Sequence, residues 1–206
     1  MSQSSSWNWL KVREQIRSLA GRQGFPEGEH LDFLMLRIDL RSGKMFDLLK
    51  KREFDVADHR RSLLIKAAYY VLEGYSRVEE VKSTGRLITH KYLRGARFGD
   101  FSRLGYRDKL LTLFMKDQAK FRDASLILGG LETEFPYGDY SFEIHALPLV
   151  PLTFVLSVGD DEFPSDARIF YDENIETYLD VERINFLSEL TINRLEDAAE
   201  VNTAVK

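Results

Sequence analysis

Hydrophobic residues recur along this chain at two different spacings, and the spacings predict its helices and strands. Where they stand three and four positions apart, as Trp9, Val12 and Ile16 do, they form one face of an amphipathic helix. This pattern predicts helices near residues 7–21, 58–74, 106–128 and 175–198, with a break in the third at 116–118.

Elsewhere polar and apolar residues alternate, which is typical of strands. The alternation predicts strands at residues 31–40 and 44–49, joined by a Ser-Gly turn into a hairpin, and further strands at 85–93, 140–147, 151–158 and 167–172. In the strand at 151–158, Val155 adds an apolar residue to the face opposite Leu152 and Phe154. We therefore expect this strand to be central and covered on both sides.

Helices and strands are mixed without a regular strand–helix–strand rhythm, which disfavours a parallel sheet. We predict one α+β domain over residues 1–206. Its mainly antiparallel sheet would consist of an N-terminal hairpin and a C-terminal three-strand meander, packed with about four to five helices. The first 50 residues carry less distinctive patterns than the rest.

Cysteine is absent from the sequence, which removes disulfides, thiolate metal sites, iron–sulfur ligation and cysteine nucleophiles. The N-terminus lacks the basic stretch and apolar run of a signal peptide. No apolar run approaches the roughly 20 residues that span a membrane. We therefore expect a soluble cytoplasmic protein with no membrane partner.

The net charge of −4 combines two halves of opposite sign. Residues 1–128 hold 25 Lys and Arg against 16 Asp and Glu, whereas residues 129–200 hold 3 against 17. Such charge asymmetry can steer a binding partner. It can equally arise because the two halves lie against each other, or because each half forms a separately solvated surface. We do not expect nucleic acid as a partner, because its binding requires net neutralisation of phosphates.

The sequence lacks the Gly-rich dinucleotide motif, the phosphate loop, HExxH and GxSxG, so the common enzyme classes are disfavoured. An acidic cluster is the alternative place for chemistry. Its carboxylates, together with a nearby histidine, would form a dispersed enzyme site that binds a divalent metal through oxygen ligands. The residues of this candidate site are Asp139, His145, Asp160, Asp161 and Glu162. The competing interpretation, which we favour, is that GDDEFP at 159–164 is a tight turn between two strands.

Two histidines, His90 and His145, each stand in the middle of a predicted strand. If the two strands were neighbours, the rings would converge on a metal or act as an acid and a base. The alternative is that each imidazole finds a local hydrogen-bond partner, and polar groups in sheets usually do so. We favour the local alternative.

A segment rich in arginine and aromatic residues, between Arg86 and Lys109, is the best candidate for binding a ligand. Guanidinium groups bind phosphate or carboxylate in a bidentate manner, and aromatic rings supply contact area. The candidate ligand-binding residues are Tyr92, Arg94, Arg97, Phe98 and Arg103. The alternative is a solvated loop held by aromatic contacts with the core.

Several short motifs in the chain resemble, in order and spacing, those of an uncharacterised family called domain of unknown function 3786. They are LLIKAAYYVL, the strand at 85–93, Leu128-Gly129-Gly130, Gly138-Asp139, LPLVPL at 147–152, GDDEFP, IFYD at 169–172 and YLDVERINFL, and they lie within residues 63–195. Ser157 departs from the family pattern, in which an aromatic residue is expected. The resemblance implies an origin in anaerobic bacteria or archaea and an association with corrinoid or iron–sulfur proteins. It implies no catalytic residue.

We therefore expect a non-catalytic binding or accessory module that engages a metallocofactor protein or an anionic cofactor, with no intrinsic cofactor of its own. One alternative is an enzyme with the dispersed carboxylate and histidine site, dependent on a divalent metal or not. The other alternative is a purely structural interaction domain, for example a homodimer.

Overall fold

The computed structural model describes residues 8–54, 59–96, 105–136 and 138–205. Within these ranges the chain is α+β, with six helices and two antiparallel sheets of four and five strands. The helices are α1 (Trp9–Arg17), α2 (His59–Tyr75), α3 (Tyr106–Phe114), α4 (Gln118–Ile127), α5 (Ile175–Tyr178) and α6 (Val181–Val205). The strands are β1 (His30–Phe33), β2 (Leu36–Asp39), β3 (Met45–Asp47), β4 (Arg52–Glu53), β5 (Leu87–Thr89), β6 (Leu131–Glu132), β7 (Tyr140–Leu147), β8 (Val150–Ser157) and β9 (Asp166–Asp172).

The C-terminal sheet has the strand order β5-β9-β8-β7-β6, so the predicted meander is confirmed and gains an edge strand on each side. Strand β8 is central, as predicted, and both of its faces are buried. On one face Phe142 of β7 stacks edge-on against Phe121 of α4. On the other face the connection between β6 and β7 covers the sheet: Phe135 lies on Phe170, with ring centroids 4.4 Å apart.

Gly138 allows this connection to lie close to the sheet. A Cβ atom at this position would collide with the side chain of Val155, which is 2% exposed. The glycine therefore serves close backbone approach rather than an unusual backbone conformation.

The N-terminal sheet has the order β1-β2-β3-β4 and contains two more strands than the predicted hairpin. The predicted continuous strand at 31–40 is wrong, because β1 and β2 form a hairpin of their own around Leu34 and Met35. These two residues have φ angles of 49° and 56°. A two-residue turn with both φ values positive normally uses Asn and Gly. Because Leu and Met occupy these positions, the sequence pattern did not indicate a turn here.

The side chain of Arg194, on the long helix α6, holds this turn. Its Nε donates to the carbonyl of Leu34 at 3.1 Å and its Nη2 to that of Met35 at 3.2 Å. Arg194 is fully buried, and two carboxylates balance its charge: Nη2 lies 2.8 Å from Asp47 and Nη1 lies 2.8 Å from Asp197. Burial raises the pKa of Asp47, but the hydrogen bonds and charge of Arg194 outweigh it and bring the pKa below its ordinary value.

The oppositely charged halves of the sequence lie against each other. Ion pairs that join a basic residue of the first half to an acidic residue of the second are Lys50–Asp197, Lys50–Glu200, Arg86–Glu173, Arg107–Asp166, Lys109–Glu196 and Arg122–Glu132. The charge asymmetry of the sequence therefore reflects contacts within the fold to a considerable degree.

Strand β5 is shorter than the predicted strand at 85–93, which was wrong beyond Thr89. The chain turns there into a single 3-10 turn, His90–Tyr92, closed by a hydrogen bond from the Leu93 N–H to the His90 carbonyl at 3.1 Å. The turn buries the His90 ring against α6, where its Nε2 meets Asn185. The predicted helix break at 116–118 is confirmed, since α3 ends at Phe114 and α4 begins at Gln118.

None of the helices in the described ranges is both long enough and apolar enough to cross a membrane.

We predict that Arg194→Met strongly destabilises the fold. The substitution leaves Asp47 buried without its counter-ion and removes two donors from the Leu34–Met35 turn. Breaking a buried ion pair from one side costs about 3–5 kcal/mol. Urea unfolding measures the loss, and Arg122→Met, which removes an exposed pair with Glu132, is the matched control with an expected change within about 0.5 kcal/mol. Equal effects of the two substitutions would contradict the structural role of Arg194.

Candidate functional site

A cavity opens at the point where β5 leaves the C-terminal sheet. Strand β5 pairs with β9 only at residues 170–172, so among the described strands residues 166–169 of β9 pair with β8 alone. The 3-10 turn and the first turn of α3 form the remaining walls. The cavity has a volume of ≈ 360 Å³, and the residues that line it are Thr89, His90, Lys91, Arg107, Asp166, Ala167, Arg168 and Ile169. We call it the β9 cavity.

Asp166 organises the charges in the β9 cavity. Its Oδ1 accepts a hydrogen bond from Arg107 Nε at 2.6 Å, and its Oδ2 accepts one from Arg168 Nε at 2.7 Å. Burial raises the pKa of Asp166, but the hydrogen bonds from the two arginines prevail and leave the pKa below its ordinary value. The carboxylate is therefore ionised at neutral pH and holds two guanidinium groups in fixed positions.

Arg107 also closes the exposed edge of β9. Its Nη2 donates to the Ser165 carbonyl at 2.9 Å, next to the start of the strand. Its hydrogen bond with Asp166 raises the pKa of Arg107 further, so its charge is permanent. A charged side chain at this position blocks the edge against pairing with another strand.

Two other cations on the cavity wall have donors to spare. The terminal nitrogens of Arg168 have no hydrogen-bond partner in the parts of the chain that the structure describes. The ammonium of Lys91 lies over the ring of Tyr92, 4.8 Å from its centroid, and makes no ion pair with any described residue. Both residues are exposed and line the cavity, so its wall carries N–H donors of positive charge, which is the chemistry that recognises an anion.

Two further polar side chains, those of His90 and Thr89, complete the wall. His90 Nε2 lies 2.8 Å from Asn185 Oδ1, which is an acceptor, so Nε2 carries the ring proton. The Thr89 hydroxyl is buried and has no hydrogen-bond partner among the described residues. An unpaired buried hydroxyl is costly and is unusual in a wall that serves structure alone.

Asp172, at the far end of β9, fixes the entry into β5. Its carboxylate accepts hydrogen bonds from both the hydroxyl and the N–H of Thr84, at 2.9 Å each, and from the Gly85 N–H at 3.0 Å. The Ser83 hydroxyl and the Asn174 N–H also donate to it. Burial raises its pKa, but these donors bring the pKa below the ordinary value. The carboxylate thereby sets where β5 joins β9 and where it leaves.

The predicted ligand-binding residues contribute to this region unevenly. Tyr92 is exposed beside Lys91, and the backbone N–H of Arg94 donates to the Glu176 carboxylate at 3.0 Å. Arg97, Phe98 and Arg103 lie outside the described residues. The segment from Arg86 to Lys109, in which all five were predicted, supplies four of the cavity residues: Thr89, His90, Lys91 and Arg107.

The acidic candidate residues do not come together with His145. Asp139 and Asp160 flank the end of β8: Asp139 accepts a hydrogen bond from the Val158 N–H at 2.7 Å, and Asp160 accepts two from Glu162 and Phe163 within its own turn. Asp161 and Glu162 are exposed on that turn. His145 lies at the other end of β7, opposite Pro151 rather than Leu156, about 17 Å along the strand from Tyr140.

The histidines His90 and His145 are also separated, because β9 and β8 lie between their strands. His145 Nδ1 lies 2.9 Å from the Pro148 carbonyl, so each ring has a local partner. No group of three or more His, Asp or Glu side chains in the described residues is arranged to hold a metal ion.

Asp166 and Arg168 were missed in the sequence because they lie within a predicted strand. The alternation of polar and apolar residues in this stretch predicts the strand. It also places residues i and i+2, here Asp166 and Arg168, on one face of the strand. Opposite charges two positions apart, at the start of one predicted strand, were the signal in the sequence that the two side chains act together.

Comparison with known proteins identifies the family. The sequence model of the family described as Domain of unknown function (DUF3786) matches residues 40–194. The chain belongs to this family. The match extends beyond the motifs at 63–195 to include β3 and β4 of the N-terminal sheet, and it covers the described residues that line the β9 cavity. No curated protein and no solved structure matches the chain.

We predict a pH-dependent stability loss for Asp172→Asn. Because the folded pKa of Asp172 lies below the unfolded value of about 3.9, its stabilising effect is complete above that pH and is lost as the pH falls through the folded pKa. At pH 7 we expect a loss of about 2 kcal/mol, since several hydrogen bonds to a charged acceptor are weakened. Urea unfolding of wild type and variant from pH 7 to about pH 3 measures the difference between their free energies of unfolding. We expect this difference to become smaller below about pH 4.

Asp161→Asn is the control, because Asp161 is exposed on the GDDEFP turn. If the loss of unfolding free energy in Asp172→Asn stays constant down to pH 3, the charge of the carboxylate is not what holds the Ser83–Gly85 turn.

Proposed function

We propose that this protein is a non-catalytic binding module and that the β9 cavity receives an anionic ligand. The observation that carries the proposal is that donors on Arg168 and Lys91, which line one cavity of ≈ 360 Å³, have no partner among the described residues. Cavities of this size are typical of small-molecule sites, and a few convergent polar groups usually fix the ligand in them.

The surroundings of these donors support binding better than catalysis. Asp166 has both oxygens engaged by arginines, and a carboxylate held in this way is a poor proton acceptor. His90 directs its Nε2 proton to Asn185 and so has one ring nitrogen committed to structure. The side chains that line the cavity thus hold charged groups in fixed positions, which suits binding better than catalysis.

The partner that we propose for the module is a metallocofactor protein of the corrinoid or iron–sulfur type, or an anionic cofactor itself. The support for the first is the family resemblance, and the support for the second is the charge of the cavity. Because the chain contains no cysteine, it would accompany an iron–sulfur cluster without supplying thiolate ligands. Native mass spectrometry of the protein from its own host would identify a small molecule or a protein that copurifies with it.

We predict that Arg168→Met weakens anion binding by about tenfold or more, because each hydrogen bond between charged groups contributes about 1.5–3 kcal/mol. Isothermal titration calorimetry at low salt, with inorganic phosphate and 3-phenylpropionate as probes, measures the effect. Arg122→Met is the matched control, since Arg122 is an exposed arginine on α4 and does not line the cavity.

Three results would refute the proposed function. In the first, neither anion binds the wild-type protein, and in the second, Arg168→Met binds both anions as tightly as wild type does. An equal loss of affinity in Arg168→Met and Arg122→Met would place binding outside the cavity and would also refute it.

A further inference from the structure

The GDDEFP turn carries charges that its own structure does not use. Asp160 accepts hydrogen bonds from the N–H groups of Glu162 and Phe163, at 2.9 Å and 2.7 Å, and these bonds close the turn. The carboxylates of Asp161 and Glu162 are exposed and have no hydrogen bond or ion pair with any residue that the structure describes. Phe163, beside them, is 68% exposed. The turn therefore offers two unpaired carboxylates and an aromatic ring to a partner.

The GDDEFP turn has a fixed shape and adjoins the β9 cavity. The Gly159 N–H donates to the Ser165 hydroxyl, and the Asp160 N–H donates to the Phe163 carbonyl, both at 2.9 Å. Arg107 of the cavity wall donates to the Ser165 carbonyl, also at 2.9 Å. None of the described ion pairs joins a carboxylate of the turn to a cation of the cavity. The turn is thus preformed for binding and is not folded onto its own cavity.

The wall of the β9 cavity has the opposite charge. Its described charged residues are three cations and one carboxylate: Lys91, Arg107, Arg168 and Asp166. Tyr92, the neighbour of Lys91, is 63% exposed. Tyr92 and Phe163 are the two most exposed aromatic residues in the described part of the chain. The cavity rim and the turn therefore complement each other, with cations against carboxylates and one exposed ring on each.

Two complementary surfaces that adjoin on one chain suit a pair of copies related by a twofold axis. Each contact then occurs twice, because the turn of the first copy reaches the cavity of the second and the reverse. Carboxylates form charge-assisted hydrogen bonds with guanidinium and ammonium groups, and aromatic residues are enriched in protein interfaces. Such an interface uses both surfaces of both copies, so the assembly ends at a dimer.

We infer that the protein forms a twofold dimer in which the GDDEFP turn of each copy supplies the anion for the β9 cavity of the other. Asp161 and Glu162 meet the donors of Arg168 and Lys91, and Phe163 lies against the partner copy at the rim of its cavity. The inference rests on the proposed function, because it names the source of the anion that the same cavity receives. A small anion competes with the turn for the same donors.

Sedimentation velocity of the wild-type protein measures the association. Over concentrations from about 5 to about 500 µM at low salt, we expect a monomer–dimer equilibrium with a Kd of about 10–100 µM, in the range of small interfaces. Raising the NaCl concentration to about 0.5 M should weaken the dimer at least tenfold, because exposed charges are screened. Inorganic phosphate at constant ionic strength should shift the equilibrium toward the monomer.

A charge exchange between two variants tests the pairing of turn and cavity. Arg168→Glu places a carboxylate on the cavity wall, and Asp161→Lys with Glu162→Lys reverses the charge of the turn. Each variant alone should stay monomeric, because like charges then oppose each other at both contacts. In an equimolar mixture every turn meets a wall residue of opposite charge, so we expect the dimer to return with a Kd within about tenfold of wild type. Melting curves establish that both variants are folded.

Matched controls separate this interface from general surface effects. Phe163→Ala should weaken the dimer about tenfold, because truncating an aromatic anchor is costly. Leu131→Ala shortens a side chain on β6 that is 62% exposed, and we expect no change in Kd. Glu79→Lys with Glu80→Lys reverses two adjacent exposed carboxylates after α2. This double variant should dimerise as wild type does.

The outcomes separate the inference from the proposed function. A wild-type protein that is monomeric at every concentration, yet binds phosphate or 3-phenylpropionate through Arg168, would overturn the dimer and leave anion binding intact. A dimer that survives both charge reversals, or a mixture of the two variants that stays monomeric, would overturn the pairing of turn and cavity. A monomer that binds neither anion would overturn the proposed function and the inference together.

Discussion

The buried guanidinium of Arg194 is the interaction on which the arrangement of the two sheets depends. It joins the C-terminal helix α6 to the carbonyls of the Leu34–Met35 turn and to Asp47 of β3. A positively charged group without exposure to water must be neutralised where it stands, so its partners fix the position of the N-terminal sheet against the helix. The left-handed backbone of two large residues is maintained by the same contacts.

The β9 cavity follows from a second constraint, which is the early departure of β5 from the C-terminal sheet. Asp172 fixes the start of β5, and burial of His90 against α6 draws the chain away after Thr89. The vacated edge of β9 is then protected by charge, with Arg107 and Asp166 in the place of a strand. Protecting a strand edge with charged residues is a general need of sheets, and here it leaves the terminal nitrogens of Arg168 and the ammonium of Lys91 without an ion pair among the described residues.

The sequence was sufficient to predict the class of the fold and the C-terminal meander, because alternation over eight residues in β7 and β8 is a strong local signal. The sequence did not predict the Leu34–Met35 turn, because the turn is held by Arg194, which lies far away in the chain. Four residues of the basic segment line the β9 cavity, but Asp166 and Arg168 join them through tertiary structure, which no local pattern reports. The carboxylates of GDDEFP were a candidate site in the sequence, but Asp160 accepts its hydrogen bonds from N–H groups of the same turn.

The central claim of this account is that Arg168 and Lys91 present their donors to an anion in the β9 cavity. A crystal structure of the protein with 3-phenylpropionate, grown at low salt, tests it most directly. The account predicts density for the ligand in the cavity, with its carboxylate oxygens about 3 Å from the terminal nitrogens of Arg168. A cavity that holds only water at saturating ligand, or a ligand bound elsewhere on the surface, would contradict it.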